Sequence, residues 1–381
     1  MEWSVIGMNR ILYVVRPVAG GMAEHVRSLI QGLDTKWEIV LAGPPQLKIE
    51  GKTITYLPLK ISASLNPWAD WPAVYQLRRY LQEKKFDLIH AHGAKAGLIS
   101  RLAAMGSKTP VLITAHNLIL AGSVKGWKGM VYKVLERVLA GRTTAYIAVS
   151  RAIARELEQL GARREQIHII YNGIDTSFFS RFPFTPSQAR AALGISQEAK
   201  IIGSVARFAP QKGLNYFVEM AELMARERED LLFLLVGDGP LKPQLEEQVK
   251  ISGLSKRFVF TGHVEDIRPY LRAIDVFVLP SLSEGMGISL LEAAAAGLPM
   301  VATNAGGIPE VITDGREGWL VPVADSRALA AKVGWVLDNL NLAQQIALAA
   351  KQKIETQFSL AGMIKATESV YQKIISEGKR N

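Results

Sequence analysis

The segment SEGMGISLLEAAAAG, Ser283 to Gly297, carries two glutamates eight residues apart, Glu284 and Glu292, around a glycine-rich turn that opens an Ala/Leu-rich helix. The first amides of a helix have no intrahelical acceptor and the helix dipole is positive there, so such a turn is an anion site. By the 3.6-residue helical period, Glu284 falls in the turn and Glu292 about a turn and a half into the helix, both placed to reach sugar hydroxyls. Upstream, VARFAPQKG supplies a separated basic pair, Arg207 and Lys212. Arg207 follows an apolar strand, and Lys212 with Gly213 opens the next helix, where an anion is favoured. Alone, a surface Arg and Lys are ordinarily just solvated. Brought to the glutamate turn, they complete a diphosphate clamp.

Outward from this segment, apolar runs of strand length alternate with amphipathic runs of helix length in both halves of the chain, the pattern of parallel sheets flanked by helices. Strands are expected at Arg10 to Val15, Glu38 to Ala42, Thr53 to Leu57, Leu88 to Ala91, Val111 to Ala115 and Tyr146 to Ser150. The second half repeats the pattern at Ile201 to Ala206, Leu231 to Gly237, Phe258 to Gly262, Val276 to Pro280 and Pro299 to Thr303. The stretch from Asn172 to Ser187 holds Gly173, Pro183 and Pro186 with little periodicity and reads as an interdomain linker. The expected fold is therefore α/β, with two Rossmann-like doubly wound domains over residues 1–177 and 178–358 facing across a cleft. An amphipathic helix over 359–381, with Met363, Val370, Ile374 and Ile375 near one side, is expected to pack back on the first domain. Ligands of open parallel sheets bind beyond the carboxyl ends of the strands.

A length of 381 residues suits two domains, and 49% hydrophobic with 21% charged residues excludes a disordered or fibrous chain. The absence of cysteine excludes disulfides, zinc–thiolate sites and thiol catalysis, and agrees with a reducing compartment. The opening MEWSVIGMNRILYVV has neither a basic leader nor a small-residue cleavage site. No apolar run reaches 18 residues, so a spanning helix is not expected and the protein is read as cytoplasmic, either soluble or peripheral at the inner face of the plasma membrane. Charge is unevenly divided. Residues 1–172 carry 23 Lys and Arg against 12 Asp and Glu, a net of +11, whereas residues 173–381 carry 22 against 23, a net of −1. Whatever the first half handles is expected to be acidic: a phosphorylated lipid, an anionic membrane face or a polyanion.

Two doubly wound domains also describe many dehydrogenases, but the glycines disagree. Lys242 in VGDGPLK and Leu290 in EGMGISL stand where the third glycine of G-x-G-x-x-G belongs, and the second strand ends in Ala42 and Gly43 with no acid for a ribose. His90 and His92 point to one side of a strand and could ligate a metal, although no carboxylate cluster accompanies them. His25 is ambiguous, and His116 after a strand reads by itself as a hydrogen-bonded core histidine.

PVAGGMAEHV (Pro17 to Val26), FDLIHAHG (Phe86 to Gly93), TAHN (Thr114 to Asn117), YNGID (Tyr171 to Asp175), VARFAPQKG, LVGDGP, FTGHVEDI and the Glu, seven residues, Glu run occur in this order over nearly the whole chain. In these motifs the chain resembles the retaining family 4 glycosyltransferases of GT-B architecture. The resemblance implies that the second domain binds a nucleotide-diphosphate sugar and the first an acceptor. Arg207 and Lys212 would then neutralise the donor diphosphate, Glu292 hold the ribose hydroxyls and Glu284 contact the transferred sugar. Backbone amides from Gly285 through Met286 and Gly287 to Ile288 would face phosphate and sugar oxygens, with the main chain near Val264 on the base. His116 would lie beside the anomeric centre, and Gly20 and Gly21 would let their loop approach the phosphates.

Breaking a sugar–phosphate bond develops negative charge on the diphosphate, so preorganised cations there matter most. The chain has no Asp-x-Asp motif to hold a metal, and transfer without metal or cofactor is expected. Front-face and covalent routes to retention both remain open. The base is read as uridine on family frequency. The acceptor is read as lipid-linked or otherwise acidic, in cell-envelope polysaccharide or glycolipid synthesis. Within the same fold a nucleotide-sugar epimerase is the rival enzyme; outside it, a non-catalytic nucleic-acid-binding or regulatory protein, although no nucleic acid is expected. Asn66 to Lys85 and Gly126 to Arg142 combine aromatic and aliphatic residues with Arg78, Arg79, Lys84, Lys85, Lys128, Lys133, Arg137 and Arg142. The simpler reading of each is a flanking helix with a buried apolar stripe. The first half's charge keeps contact with an anionic membrane as the alternative.

Overall fold

Parallel strands covered on both faces read as continuous apolar runs rather than as alternation, and such runs build both sheets of this chain. The computed structural model describes residues 8–17, 20–44, 47, 49, 52, 54–62, 67–118 and 127–380. It divides into a first unit, Met1–Gly173 with Leu360–Asn381, and a second, Ile174–Ser359. Residues 1–7, Val18, Ala19, Thr53, Asn66 and Gly126, with the side chains of Pro67, Trp68, Trp127 and Lys128, belong to segments discussed above and lie outside the described residues.

The first unit holds β1 (Asn9–Val15), β2 (Trp37–Gly43), β3 (Thr55–Pro58), β4 (Leu88–His92), β5 (Val111–Ala115), β6 (Ala145–Ala148) and β7 (Ile167–Ile169). They form one parallel sheet in the order β3-β2-β1-β4-β5-β6-β7. The register sets Tyr13 of β1 beside His90 of β4, their rings 5.1 Å apart. Against the sheet lies the helix Leu360–Gly378, whose Met363, Val370, Tyr371, Ile374 and Ile375 join Ile11, Leu29 and Trp37 in one core. Burial of these side chains is the main force holding the last helix, at about 1.5–3 kcal/mol for each large one. A buried polar chain adds direction to that packing. Tyr371 meets the hydroxyl of Tyr13 at 2.5 Å and His90 Nδ1 at 2.6 Å, and His90 Nε2 meets Thr114 Oγ1 at 2.7 Å.

The second unit holds β8 (Lys200–Val205), β9 (Leu231–Val236), β10 (Phe258–Phe260), β11 (Val276–Leu279), β12 (Met300–Thr303) and β13 (Trp319–Val321), parallel in the order β10-β9-β8-β11-β12-β13. Its core gathers Phe217, Phe233 and Phe258, with the last two stacked at 5.0 Å.

All eleven expected strands occur, with ends shifted by two residues or fewer. The sequence reading missed β7 and β13, which are three residues long and at sheet edges, too short for any periodicity to register. The stretch from Asn172 to Ser187, read as an interdomain linker, contains the boundary between the two units at Gly173 and Ile174. It also holds one short helix, Thr176–Ser180, and the start of another, Pro186–Ala192, because Asp175 and Thr185 cap them. Asp175 Oδ1 accepts from the amides of Ser177 and Phe178 at 3.0 and 3.1 Å, and Thr185 makes a reciprocal capping box with Gln188.

A further correction concerns the helix Trp127–Ala140. Its apolar residues Met130, Val134 and Val138 face solvent rather than the core, because Glu136, Leu139 and Ala140 occupy the buried side.

Candidate active site

In an open parallel sheet the chain leaves one central strand toward one edge and returns to build toward the other, and the loops beyond those two strands diverge to leave a crevice. In the second unit that point lies between β8 and β11. Lys212 closes a short 3-10 turn, Pro210–Lys212, after β8. Glu284 lies in the loop after β11. The structure joins them: Lys212 Nζ is 2.5 Å from Glu284 Oε1, and Ser281 Oγ donates to the same oxygen at 2.8 Å. Glu284 and Ser281 are buried, and Lys212 is partly buried.

The loops carrying this pair are fastened to one another. Leu282 N donates to Gln211 O at 2.8 Å, Gly307 N to Glu284 O at 3.2 Å, and Thr303 Oγ1 to Ser281 O at 2.5 Å. Loops after β8, β11 and β12 thus form one hydrogen-bonded rim. Gly213 sits at the tightest point, with φ 61°, and a Cβ there would lie 2.2 Å from Pro280 O. Gly213→Ala is therefore expected to destabilise the second unit by roughly 2–5 kcal/mol, combining a left-handed conformation with overpacking against backbone. Urea denaturation measures the loss; a change below about 0.5 kcal/mol, the range of ordinary surface substitutions, would mean that the rim is not rigid.

Arg207 stands exposed two residues beyond β8 and makes no ion pair among the described residues. Gly287 takes φ 81° and ψ 73° as the cap of the helix Ile288–Ala295, with Gly285 and Met286 buried just before it. Glu292 is half-buried on the fifth residue of that helix. Val264 is half-buried in the loop after β10, where Gly237 N donates to Gly262 O at 3.1 Å. All these positions lie at the carboxyl end of one sheet. Ser281, which supports Glu284, escaped the sequence reading; its only signal was a place just after a strand.

The first unit repeats the topology, with its reversal between β1 and β4. Gly20, at φ 71°, caps the helix Gly21–Gly32 that follows β1. On the first turns of that helix is His25, which meets His92 at the end of β4 and His116 after β5. Ring centroids of His25 and His116 are 4.6 Å apart, and His92 Nδ1 is 3.1 Å from His116 Nε2. Burial pushes all three imidazoles down, His25 to about 4, with the neighbouring histidines lowering His92 and His116 further. These rings are neutral near pH 7. The reading of His90 and His92 as a ligand pair fails on geometry, because both His90 nitrogens are engaged by Tyr371 and Thr114. The trio that does converge is His25, His92 and His116, each offering a nitrogen within 4.8 Å of the others.

Residues 19–178 match the model of Glycosyltransferase Family 4, and residues 199–339 that of Glycosyl transferases group 1. An Escherichia coli protein, UDP-Gal:alpha-D-GlcNAc-diphosphoundecaprenol alpha-1,3-galactosyltransferase, is 31% identical over 67% of this chain and 67% of its own. The capsular polysaccharide biosynthesis glycosyltransferase CapM of Staphylococcus aureus is 23% identical over 95% of this chain and 96% of its own. Among solved structures, Anabaena HepE in complex with UDP superposes with a TM-score of 0.82 at 24% identity, over 96% of this chain and 100% of that one. The two matched models together cover most of the chain, and it belongs to the family 4 glycosyltransferases, with the GT-B fold.

Proposed function

We propose that the protein transfers a sugar, with retention of configuration and without a metal, from a uridine-diphosphate sugar to a lipid-linked or otherwise acidic acceptor in cell-envelope polysaccharide or glycolipid synthesis. The observation that carries the donor half of this reading is the Lys212–Glu284 pair at the sheet reversal of the second unit. Lys212 and Arg207 take the charge that develops on the leaving diphosphate, where preorganised cations act most strongly. Glu284 holds a hydroxyl of the transferred sugar and Glu292 the ribose. The amides of Gly285 through Met286 and Gly287 to Ile288 bond phosphate and sugar oxygens, and the main chain at Val264 meets the base. The roles of His116 beside the anomeric centre and of Gly20 and Gly21 near phosphate rest on the resemblance alone. UDP and UDP-glucose are bound in structures of HepE, and the E. coli relative is named for a diphosphoundecaprenol-linked acceptor. Both names support the chemistry proposed here. The net +11 of residues 1–172 supports an acidic acceptor and work at the cytoplasmic face of a membrane. No described helix is long and apolar enough to cross one.

A ligand that binds only the folded state raises stability by mass action, about 2.7 kcal/mol at a hundredfold excess over Kd. A thermal-shift panel of uridine, guanosine and thymidine sugars is expected to give its largest rise with a uridine donor, and Lys212→Ala and Glu292→Ala are expected to abolish it. Loss of the site assignment would follow if both variants kept the full shift. No rise with any uridine or guanosine donor would overturn the function itself.

A further inference from the structure

The helix Trp127–Ala140 is fastened to the first unit through its charged side. Glu136 is buried and accepts two bonds from Arg101, Nη1 to Oε2 at 2.8 Å and Nη2 to Oε1 at 2.6 Å. Leu139 and Ala140 are buried beside it. Four-residue steps on the opposite side of the helix carry Met130, Val134 and Val138, which are 68%, 54% and 70% exposed. Lys133 and Arg137 stand exposed next to this stripe. An ordinary flanking helix turns its apolar stripe inward; this one turns it out.

The helix Pro67–Glu83 follows the same plan. Asp70 is buried and paired with Lys95 at 2.8 Å, while Ala73, Val74 and Leu77 face the core. Trp71 and Tyr75, one turn apart, are 64% and 66% exposed, Arg78 and Arg79 are exposed on the next turn, and Lys84 and Lys85 are exposed just beyond the end of the helix. Lys95 and Arg101 both belong to the helix Ala94–Ala103, so a single helix anchors both inward carboxylates. Among the described residues of the two outer helices the one exposed acid is Glu83, which is itself bonded to Arg79 Nε at 2.9 Å. On each helix one acid points in, to Lys95 or to Arg101, while Trp71 and Tyr75 or Met130, Val134 and Val138 point out with basic residues beside them.

We propose that the outer faces of these two helices are a docking surface for a bilayer of anionic phospholipid. Met130, Val134, Val138, Trp71 and Tyr75 enter the headgroup boundary, where amphipathic rings and apolar stripes are favoured, and Lys133, Arg137, Arg78, Lys84 and Lys85 meet lipid phosphates. Charge selects the occupant: a neutral protein partner has no use for so many unbalanced cations around an apolar strip. The surface deepens the lipid-linked acceptor reading and rests on it for the choice of a lipid partner.

Sedimentation with vesicles of phosphatidylcholine, with or without phosphatidylglycerol, tests the surface with no donor present. The full chain is expected to sediment with the anionic vesicles only, and added salt is expected to release it. Each basic residue at an anionic surface is worth about fivefold in partition, so the Lys133→Glu/Arg137→Glu double variant is expected to lose at least tenfold. Val134→Asp is expected to lose a similar factor, while Ile251→Asp, at a still more exposed apolar site of the second unit, binds as the parent does. Equal sedimentation with both vesicle types, full binding by the Val134 and Lys133/Arg137 variants, or a wild-type dimer that Val134→Asp splits on sizing would each overturn the proposal. The thermal shift with a uridine donor separates the two readings. Its persistence without vesicle binding removes the surface alone, and vesicle binding without a donor shift removes the proposed reaction alone.

Discussion

Replacing Lys212 with alanine is expected to lower kcat by about 10²–10³-fold, with a smaller change in KM, because the cation's main work is on charge that exists only as the sugar–phosphate bond breaks. The same change disturbs the folded state. Lys212 Nζ and Ser281 Oγ are the two donors to Glu284 Oε1, and without the lysine a carboxylate with 6% side-chain exposure loses its counter-charge. Removing one partner of a fully buried pair costs about 3–5 kcal/mol; Lys212 retains 20% exposure, so solvent screening reduces the cost here. Rate and stability must therefore be read separately. Glu284→Gln in the Lys212→Ala background removes the orphaned charge and is expected to restore melting temperature without restoring the rate. Lys212→Arg, which keeps a cation in altered geometry, is expected to fall between wild type and Lys212→Ala. If the double variant regained near-normal turnover, Lys212 would be a counter-ion for Glu284 and nothing more.

Much of this site could be read from the chain because its parts are short-range. The turn from Ser283 to Ile288, the strand that presents Arg207 and the glycine after Lys212 are each set by a few neighbouring residues, and the periodicity of their surroundings identifies them as strand ends and helix starts. Which loops meet is a different kind of information. Lys212 reaches Glu284 because β8 lies next to β11, and strand order depends on the whole sheet rather than on either segment. Ser281 and Thr303 became visible only with that order, as the supports of Glu284 and of its loop. His25 likewise had no partner in the sequence, since it meets His92 and His116 across three separate strand–helix connections. The outward stripe of Met130, Val134 and Val138 was legible as a stripe but not as a surface. Periodicity gives the angle between residues on a helix, and only the buried Arg101–Glu136 pair decides which side faces in.

The histidines predict that the first unit is the acid-labile one. His25, His90, His92 and His116 are all held below the ordinary imidazole range, burial being the first cause in each, with nearby histidines adding to it for the last three. For a base whose folded value is depressed, the unfolded chain binds the proton first, so stability rises with pH across the window between the two values. Its stability is therefore complete above about pH 7 and falls from about 6.5 downward; for His25 the loss is finished only below its folded value of about 4. That window alone is worth about 3 kcal/mol, at about 1.4 kcal/mol per pH unit, and the other three act in the same direction. Protonating any one of the trio also makes the next proton harder to accept, since their rings lie within 4.6–5.6 Å of each other. The second unit holds one histidine, the exposed His263, and provides an internal control. Hydrogen exchange followed from pH 7 to pH 5 is expected to show protection collapsing in β1, β4 and β5 while β8, β9 and β11 keep theirs. His25→Gln, which cannot titrate, is expected to flatten the slope for the first unit. A parallel loss in both sheets, or an unchanged slope in His25→Gln, would assign acid sensitivity to groups other than this cluster.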